Sequence, residues 1–171
     1  MKINIEDDKM TSFQRKIHIM TTIFLGSDHA GFALKEFAKE HLDTPKYAII
    51  DIGAFELNEK DDYPDFAALV AEKVIQDPES VGILFCGSGQ GVCIVANKFA
   101  GIRAAIGFSE SAAEQSRVDD NCNVLCLPAL HISKEEALQI INSWLNSSFS
   151  QLERHARRLS KIADIESRLL K

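Results

Sequence analysis

Short apolar runs alternate along the chain with segments in which apolar residues recur every three or four positions. Five runs read as strands: Thr22–Gly26, Tyr47–Ile52, Val81–Cys86, Arg103–Phe108 and Asn123–Leu127. Their near-continuous apolar character suits strands covered on both faces. Between them lie helical patterns. From Gly31, the residues Leu34, Phe37, Ala38, His41 and Leu42 share one face, and Pro45 closes the segment. Pro64 suits a first helical turn, and Phe66, Ala67, Val70, Ala71 and Val74 form the stripe behind it. Val92–Phe99 and a segment from about Ser111 predict two more helices. Ser133 with Glu136 is a capping box, and the helix it opens turns Ala137, Ile140, Ile141, Trp144 and Leu145 inward. This alternation predicts an α/β protein: a three-layer, doubly wound (Rossmann-like) five-stranded parallel sheet with an extra C-terminal helix. Such sheets bind ligands beyond the carboxyl ends of their strands.

Length and charge narrow the reading. A chain of 171 residues and 19.0 kDa makes one domain. The apolar pattern begins abruptly at Met20, so residues 1–19 are expected to be a loose N-terminal extension and 20–148 the α/β domain. Residues 149–171 carry six Lys or Arg against three Asp or Glu, with an apolar stripe at Leu152, Ala156, Leu159, Ile162 and Ile165. This basic helix is expected to complete the same domain or to dock on a partner subunit. A net charge of −6 argues against nucleic acid as a partner, and no apolar run is long enough for a membrane span. The first 19 residues lack the apolar core of a secretory signal, so a cytoplasmic location is expected. Cys86, Cys93, Cys122 and Cys126 form no C-x-x-C pair; free thiols and no metal site are expected.

Three groups of residues carry candidate chemistry. Gly26-Ser27-Asp28-His29-Ala30-Gly31 follows the first strand and sets a carboxylate and an imidazole where a helix begins. Its glycine spacing imitates a P-loop, but Phe32 and Ala33 stand where Lys and Ser/Thr are required, which excludes ATP binding of that kind. Cys86-Gly87-Ser88-Gly89-Gln90-Gly91 follows the third strand; alternate glycines let backbone N–H groups converge on an anion. A dinucleotide fingerprint fails there because Val92 replaces its third glycine. Beside those donors Cys86 is expected to have a lowered pKa and to exist as a thiolate. Arg154 and Arg158, four residues apart, share a helix face suited to phosphate. Together these groups describe a cofactor-free site for a small phosphorylated anion, moving a proton beside a carbonyl.

At this point the chain resembles the ribose-5-phosphate isomerase B family, whose relatives include the galactose-6-phosphate isomerase subunits. The resemblance rests on GSDHAGFALK, on DYPDFA at 62–67, on GILFCGSGQGVCIVANKFAGIRAA at 82–105, on NVL at 123–125 and on ERHARRLSKI at 153–162. It implies a homo-oligomer with sites between subunits, interconverting ribose 5-phosphate and ribulose 5-phosphate through an enediolate without metal or cofactor. It implies Cys86 as the base, Ser88 beside it, and Gly87, Gly89, Gln90 and Gly91 as the cradle. Some members use a glutamate a few residues after the nest; here Val92 holds that place, which favours Cys86. Asp28, His29 and Tyr63 fall at the substrate, and Arg154 and Arg158 at its phosphate. Two departures stand out. The family's His-Asn pair before the fifth strand is replaced by Asp119 and Asp120, which makes Asp119 the candidate for opening the sugar ring. The family's phosphate arginine after that strand is replaced by Leu130. Both positions are expected on the partner's side of the site. The alternatives are an isomerase of another phosphorylated aldose, or a catalytically weak sugar-phosphate-binding relative.

Overall fold

A computed structural model describes residues 20–42 and 45–169; the expected N-terminal extension, 1–19, lies outside the described residues. Five strands alternate with six helices: β1 (Thr21–Ser27), α1 (Phe32–His41), β2 (Tyr47–Gly53), α2 (Tyr63–Gln76), β3 (Val81–Cys86), α3 (Gln90–Ala96), β4 (Ala104–Ile106), α4 (Glu110–Asp120), β5 (Val124–Pro128), α5 (Lys134–Asn146) and α6 (Glu153–Leu169). The sheet is parallel throughout, in the order β2-β1-β3-β5-β4. This is the doubly wound α/β architecture expected from the alternation. β4 is shorter than its sequence pattern suggested, three residues at an edge where β5 is the one neighbour, although the Arg103 carbonyl still accepts from Val124 N–H and Gly107 N–H still donates to the Cys126 carbonyl.

Side-chain alternation builds two cores. Ile23, Leu25, Ile83, Phe85, Leu125 and Leu127 point to one face and meet Leu34, Ala38, Ala113, Ile140 and Trp144 of α1, α4 and α5. Phe24, Leu84, Cys86, Val124 and Cys126 point to the other and meet Ala67, Val70, Val74, Val92 and Ala96 of α2 and α3. The capping box forms as expected: Ser133 Oγ accepts from the Glu136 N–H, and the Glu136 carboxylate accepts from the Ser133 N–H.

The chain runs outward from β1 to β2 and then back across to β3. The crevice between the carboxyl ends of β1 and β3 is therefore the topological switch point. In the ladder Ser27 stands opposite Phe85, which brings the next residues, Asp28 and Cys86, to the same level. Close approach of α1 to β3 requires Gly31: a Cβ there would lie 2.2 Å from the backbone carbonyl of Phe85. Lys35, fully buried, holds the neighbouring loop. Its ammonium donates to both oxygens of Asp51, at 2.7 and 2.8 Å, and to the Ala54 carbonyl at 2.6 Å, while the Ala54 N–H donates to the Ser27 carbonyl.

Substituting Gly31→Ala is expected to destabilise the protein by about 3 kcal/mol, since rigid backbone must move to admit the methyl group. Urea titration of the variant against wild type measures the difference. A loss below ~1 kcal/mol would show that the β3 terminus yields freely.

Candidate active site

The first group gathers at the switch point. Asp28 is buried, and its Oδ1 accepts from the Gly31 N–H at 2.9 Å, fixing the turn into α1. Its Oδ2 accepts from the Cys86 thiol at 3.0 Å. Cys86 ends β3 and is 8% exposed. It is held by burial and by the adjacent Asp28 carboxylate as a thiol, its pKa pushed up to about 11. The backbone N–H groups of Gly89 and Ser88 pull the other way but do not prevail. The expectation of a resting thiolate is therefore corrected: an apolar wall and an anion outweigh two amide dipoles.

The second group wraps that sulfur. Gly89 takes φ +71°, a left-handed turn that only glycine adopts without strain, and so opens α3 at Gln90. Ser88 is half-buried, and its Oγ accepts from the Gln90 N–H at 3.4 Å. Gln90 is exposed at the start of α3. Tyr63, the first residue of α2, lays its ring against Gly91, where a Cβ would come within 2.7 Å. The loop after β5 is tied to the nest by two backbone bonds, from Ala129 N–H to the Cys86 carbonyl and from Leu130 N–H to the Gly87 carbonyl. Leu130, 74% exposed, overhangs Gly87. The expectation that position 130 faces the site from a partner is thereby corrected, because those two bonds anchor it over its own chain's nest.

His29 stands at the open edge of this pocket. Its backbone N–H donates to Asp61 Oδ1 at 2.9 Å, and its ring Nδ1 lies 2.7 Å from the same oxygen. The hydrogen bond to Asp61 raises the imidazole pKa. Sequence reasoning missed Asp61, because in the polar loop 56–63 nothing distinguishes it from Asp62; its role comes from the loop's fold over β1.

The structure does not bring the remaining candidates to Cys86 within one chain. α4 leaves the carboxyl end of the sheet at Glu110 and reaches the opposite end at Asp120, just before β5 begins. Asp119 and Asp120 therefore lie at the amino ends of the strands. There His155, 3% exposed, receives a hydrogen bond at Nε2 from Arg154 Nε (2.9 Å), pairs through Nδ1 with Ser150 Oγ (2.8 Å), and lies 3.5 Å from Asp119 Oδ1. α6 starts at this point. Arg154 and Arg158 are both exposed on it, and Arg157 is paired with Glu153. Among the described residues no cluster of His, Cys, Asp and Glu could hold a metal ion, and no helix is long and apolar enough to cross a membrane. All four cysteines are free.

A doubly wound sheet with a thiol–carboxylate pair and a glycine-rich turn at its switch point defines a protein of the α/β class with its candidate site between β1 and β3. Residues 23–162 match the Ribose/Galactose Isomerase family, and the chain belongs to that family. It is similar to the probable ribose-5-phosphate isomerase B of Mycoplasma genitalium, 43% identical over 145 residues that cover 84% of this chain and 95% of the relative. It is also similar to the ribose-5-phosphate isomerase B of Mycolicibacterium paratuberculosis, 38% identical over 144 residues, 84% of this chain and 91% of that one. Among solved structures, the Mycoplasma genitalium enzyme with bound ribulose-5-phosphate superposes with a TM-score of 0.82 at 42% identity, covering 86% of this chain and 97% of that one. The Clostridium thermocellum enzyme gives 0.82 at 40% identity, with 86% and 99% covered.

The thiol assignment has a direct test. Alkylation of Cys86 by iodoacetamide, followed site by site by mass spectrometry, is expected to keep accelerating from pH 9 toward pH 11, since the reactive thiolate accumulates only as pH approaches the raised pKa. The Asp28→Asn variant, lacking the opposing charge, is expected to shift that profile to lower pH. A Cys86 profile that levels off below pH 8 in wild type would restore the resting thiolate.

Proposed function

We propose that the protein is an aldose–ketose isomerase interconverting ribose 5-phosphate and ribulose 5-phosphate. One observation carries the reading: Cys86, Asp28 and the amides of Ser88 and Gly89 come together at the switch point, in a chain similar to an enzyme solved with ribulose-5-phosphate. The geometry suggests how the base is made. Cys86 passes its proton to Asp28 Oδ2, and the Gly89 and Ser88 amides steady the resulting sulfur anion. That anion takes the proton from C2 of the open-chain aldose. The negative charge moves to O1, where the Gly87–Gly91 amides and Ser88 receive it. Returning the proton to C1, as the O2 hydroxyl proton passes to O1, gives the ketose. No cofactor enters these steps. Tyr63 walls the pocket, Gln90 lies at its lip, and His29 meets the phosphate.

The rest of the site comes, in this reading, from a second copy of the chain. Arg154 and Arg158 are exposed at the opposite end of the sheet from their own Cys86. Leu152, just before that helix, and Ile162 and Ile165 on it are 46, 41 and 46% exposed, an apolar stripe that a partner would cover. Asp119, with Asp120 beside it, would then serve the partner's pocket as the group that opens the sugar ring. Unpaired thiols suit the reducing cytoplasm. The apolar Leu130 over the nest favours a second reading, in which another phosphorylated aldose is the preferred substrate. An assay across phosphorylated aldoses decides between the two, with fastest turnover of ribose 5-phosphate expected.

Cys86→Ala is expected to lower kcat roughly 10²–10⁴-fold while leaving the affinity for a phosphorylated sugar acid largely intact. Retained turnover would remove the sulfur from the mechanism. Co-expressing Cys86→Ala with an Arg154→Ala/Arg158→Ala chain tests the shared site. Mixed dimers hold one intact site, so about a quarter of wild-type activity should return; none returns if each chain works alone.

A further inference from the structure

The His29–Asp61 pair is unlike the other ion pairs of the molecule. His29 is well exposed at the pocket edge, its side chain 39% accessible, whereas the Asp61 side chain is 8% accessible. Asp61 Oδ1 accepts both His29 contacts, from the backbone N–H at 2.9 Å and from ring Nδ1 at 2.7 Å. Asp61 Oδ2 is shut off from solvent and has no hydrogen-bond partner. A carboxylate so enclosed needs a counter-charge, and the neighbour able to supply one is the imidazole. Two contacts to one oxygen also fix the ring: Nδ1–H is committed to Asp61, which leaves Nε2–H as the free donor.

We propose that Asp61 is a positioning residue that keeps His29 a fixed imidazolium, turned so that Nε2–H binds the substrate's phosphate. The proposal rests on the isomerase reading for its ligand but not for its geometry. The pocket gains most from this arrangement where it is poorest in charge. Leu130 covers the nest with hydrocarbon, and Arg154 and Arg158 lie at the far end of the same chain. His29 is thus the one cationic side chain that this chain brings to its own Cys86 pocket among the groups described above. The acidic groups facing His29 are Asp28, in its own turn, and Asp61, from the loop before α2, and both favour the charged ring. Neither is a surface ornament: Asp28 is tied to Cys86 and Gly31, and Asp61 closes the loop over β1.

The sign of the pH effect follows. Below the ordinary imidazole pKa of 6.5, His29 is charged with or without Asp61. Between it and the raised pKa of the pair, only the paired ring keeps its proton. Asp61→Asn should therefore leave KM for ribose 5-phosphate near the wild-type value at pH 5.5 and raise it, by up to roughly tenfold, in the interval between the variant's imidazole midpoint and the wild type's, the loss of one charge-assisted contact. kcat should change little, and Asp61→Glu should recover part of the lost affinity. An equal rise in KM at every pH would mark a merely structural role and overturn the proposal. An NMR titration of the His29 ring, assigned by its loss in His29→Gln, reads the pair without substrate. In wild type the midpoint is expected above 6.5 and in Asp61→Asn below the wild-type value. A wild-type midpoint at or below 6.5 overturns the proposal even if the variant does not fold. If wild type fails to turn over ribose 5-phosphate, the isomerase reading falls while the titration still decides the pair.

Discussion

A hydrogen bond between a thiol and a carboxylate, 3.0 Å long and buried where two parallel strands end side by side, organises the pocket. It exists because β1 and β3 are neighbours in register, Ser27 opposite Phe85, so that the next residue on each strand meets across the crevice. Gly31 admits the close approach that brings α1 down on this point, and Lys35 holds the adjoining loop. The bond also sets a chemical constraint. In a poorly solvated place an anion beside a thiol makes a second anion expensive. The sulfur rests protonated, hydrogen-bonded to one Asp28 oxygen while the other holds the Gly31 N–H.

Charge is distributed unevenly around this centre. One chain brings backbone amides, hydrocarbon and acidic groups to this centre, with His29 beside them. Arg154 and Arg158 lie on α6, anchored at the amino-terminal edge of the sheet by the buried His155. In the proposed reading a phosphorylated substrate needs both sets near one another, which assembly of two copies would supply while covering the apolar stripe of α6. The replacement at position 130 falls on the nest itself, so its effect would be felt at Gly87 whatever the assembly.

Much of the fold is legible in the residues. Each strand run became a strand, and the capping box at Ser133 became a helix start, because local periodicity and end chemistry dictate both. Strand boundaries moved by a residue or two, and most at β4, where an edge position offers one neighbour instead of two; α3, expected over Val92–Phe99, runs from Gln90 to Ala96. The site was legible in part. Glycines at alternate positions announced a turn of exposed amides. The ionisation of Cys86 was misjudged, since a sequence shows neighbours along the chain, whereas the pKa answers to neighbours in space: Asp28 is 58 residues away. Asp61 was invisible for a related reason, because its value lies in a loop that folds across to His29, 32 residues distant.

By itself, the order of apolar and polar residues determined an alternating α/β chain, a parallel sheet and the strand ends where chemistry gathers. Periodicity and turn composition are local properties, and short-range sterics read them directly. Only the tertiary structure decided which strand ends touch, that the thiol keeps its proton, that Leu130 lies over its own nest, and that Asp119 and the α6 arginines stand at the other end of the sheet. Those are consequences of strand order and burial, which arise from contacts between residues far apart in the chain.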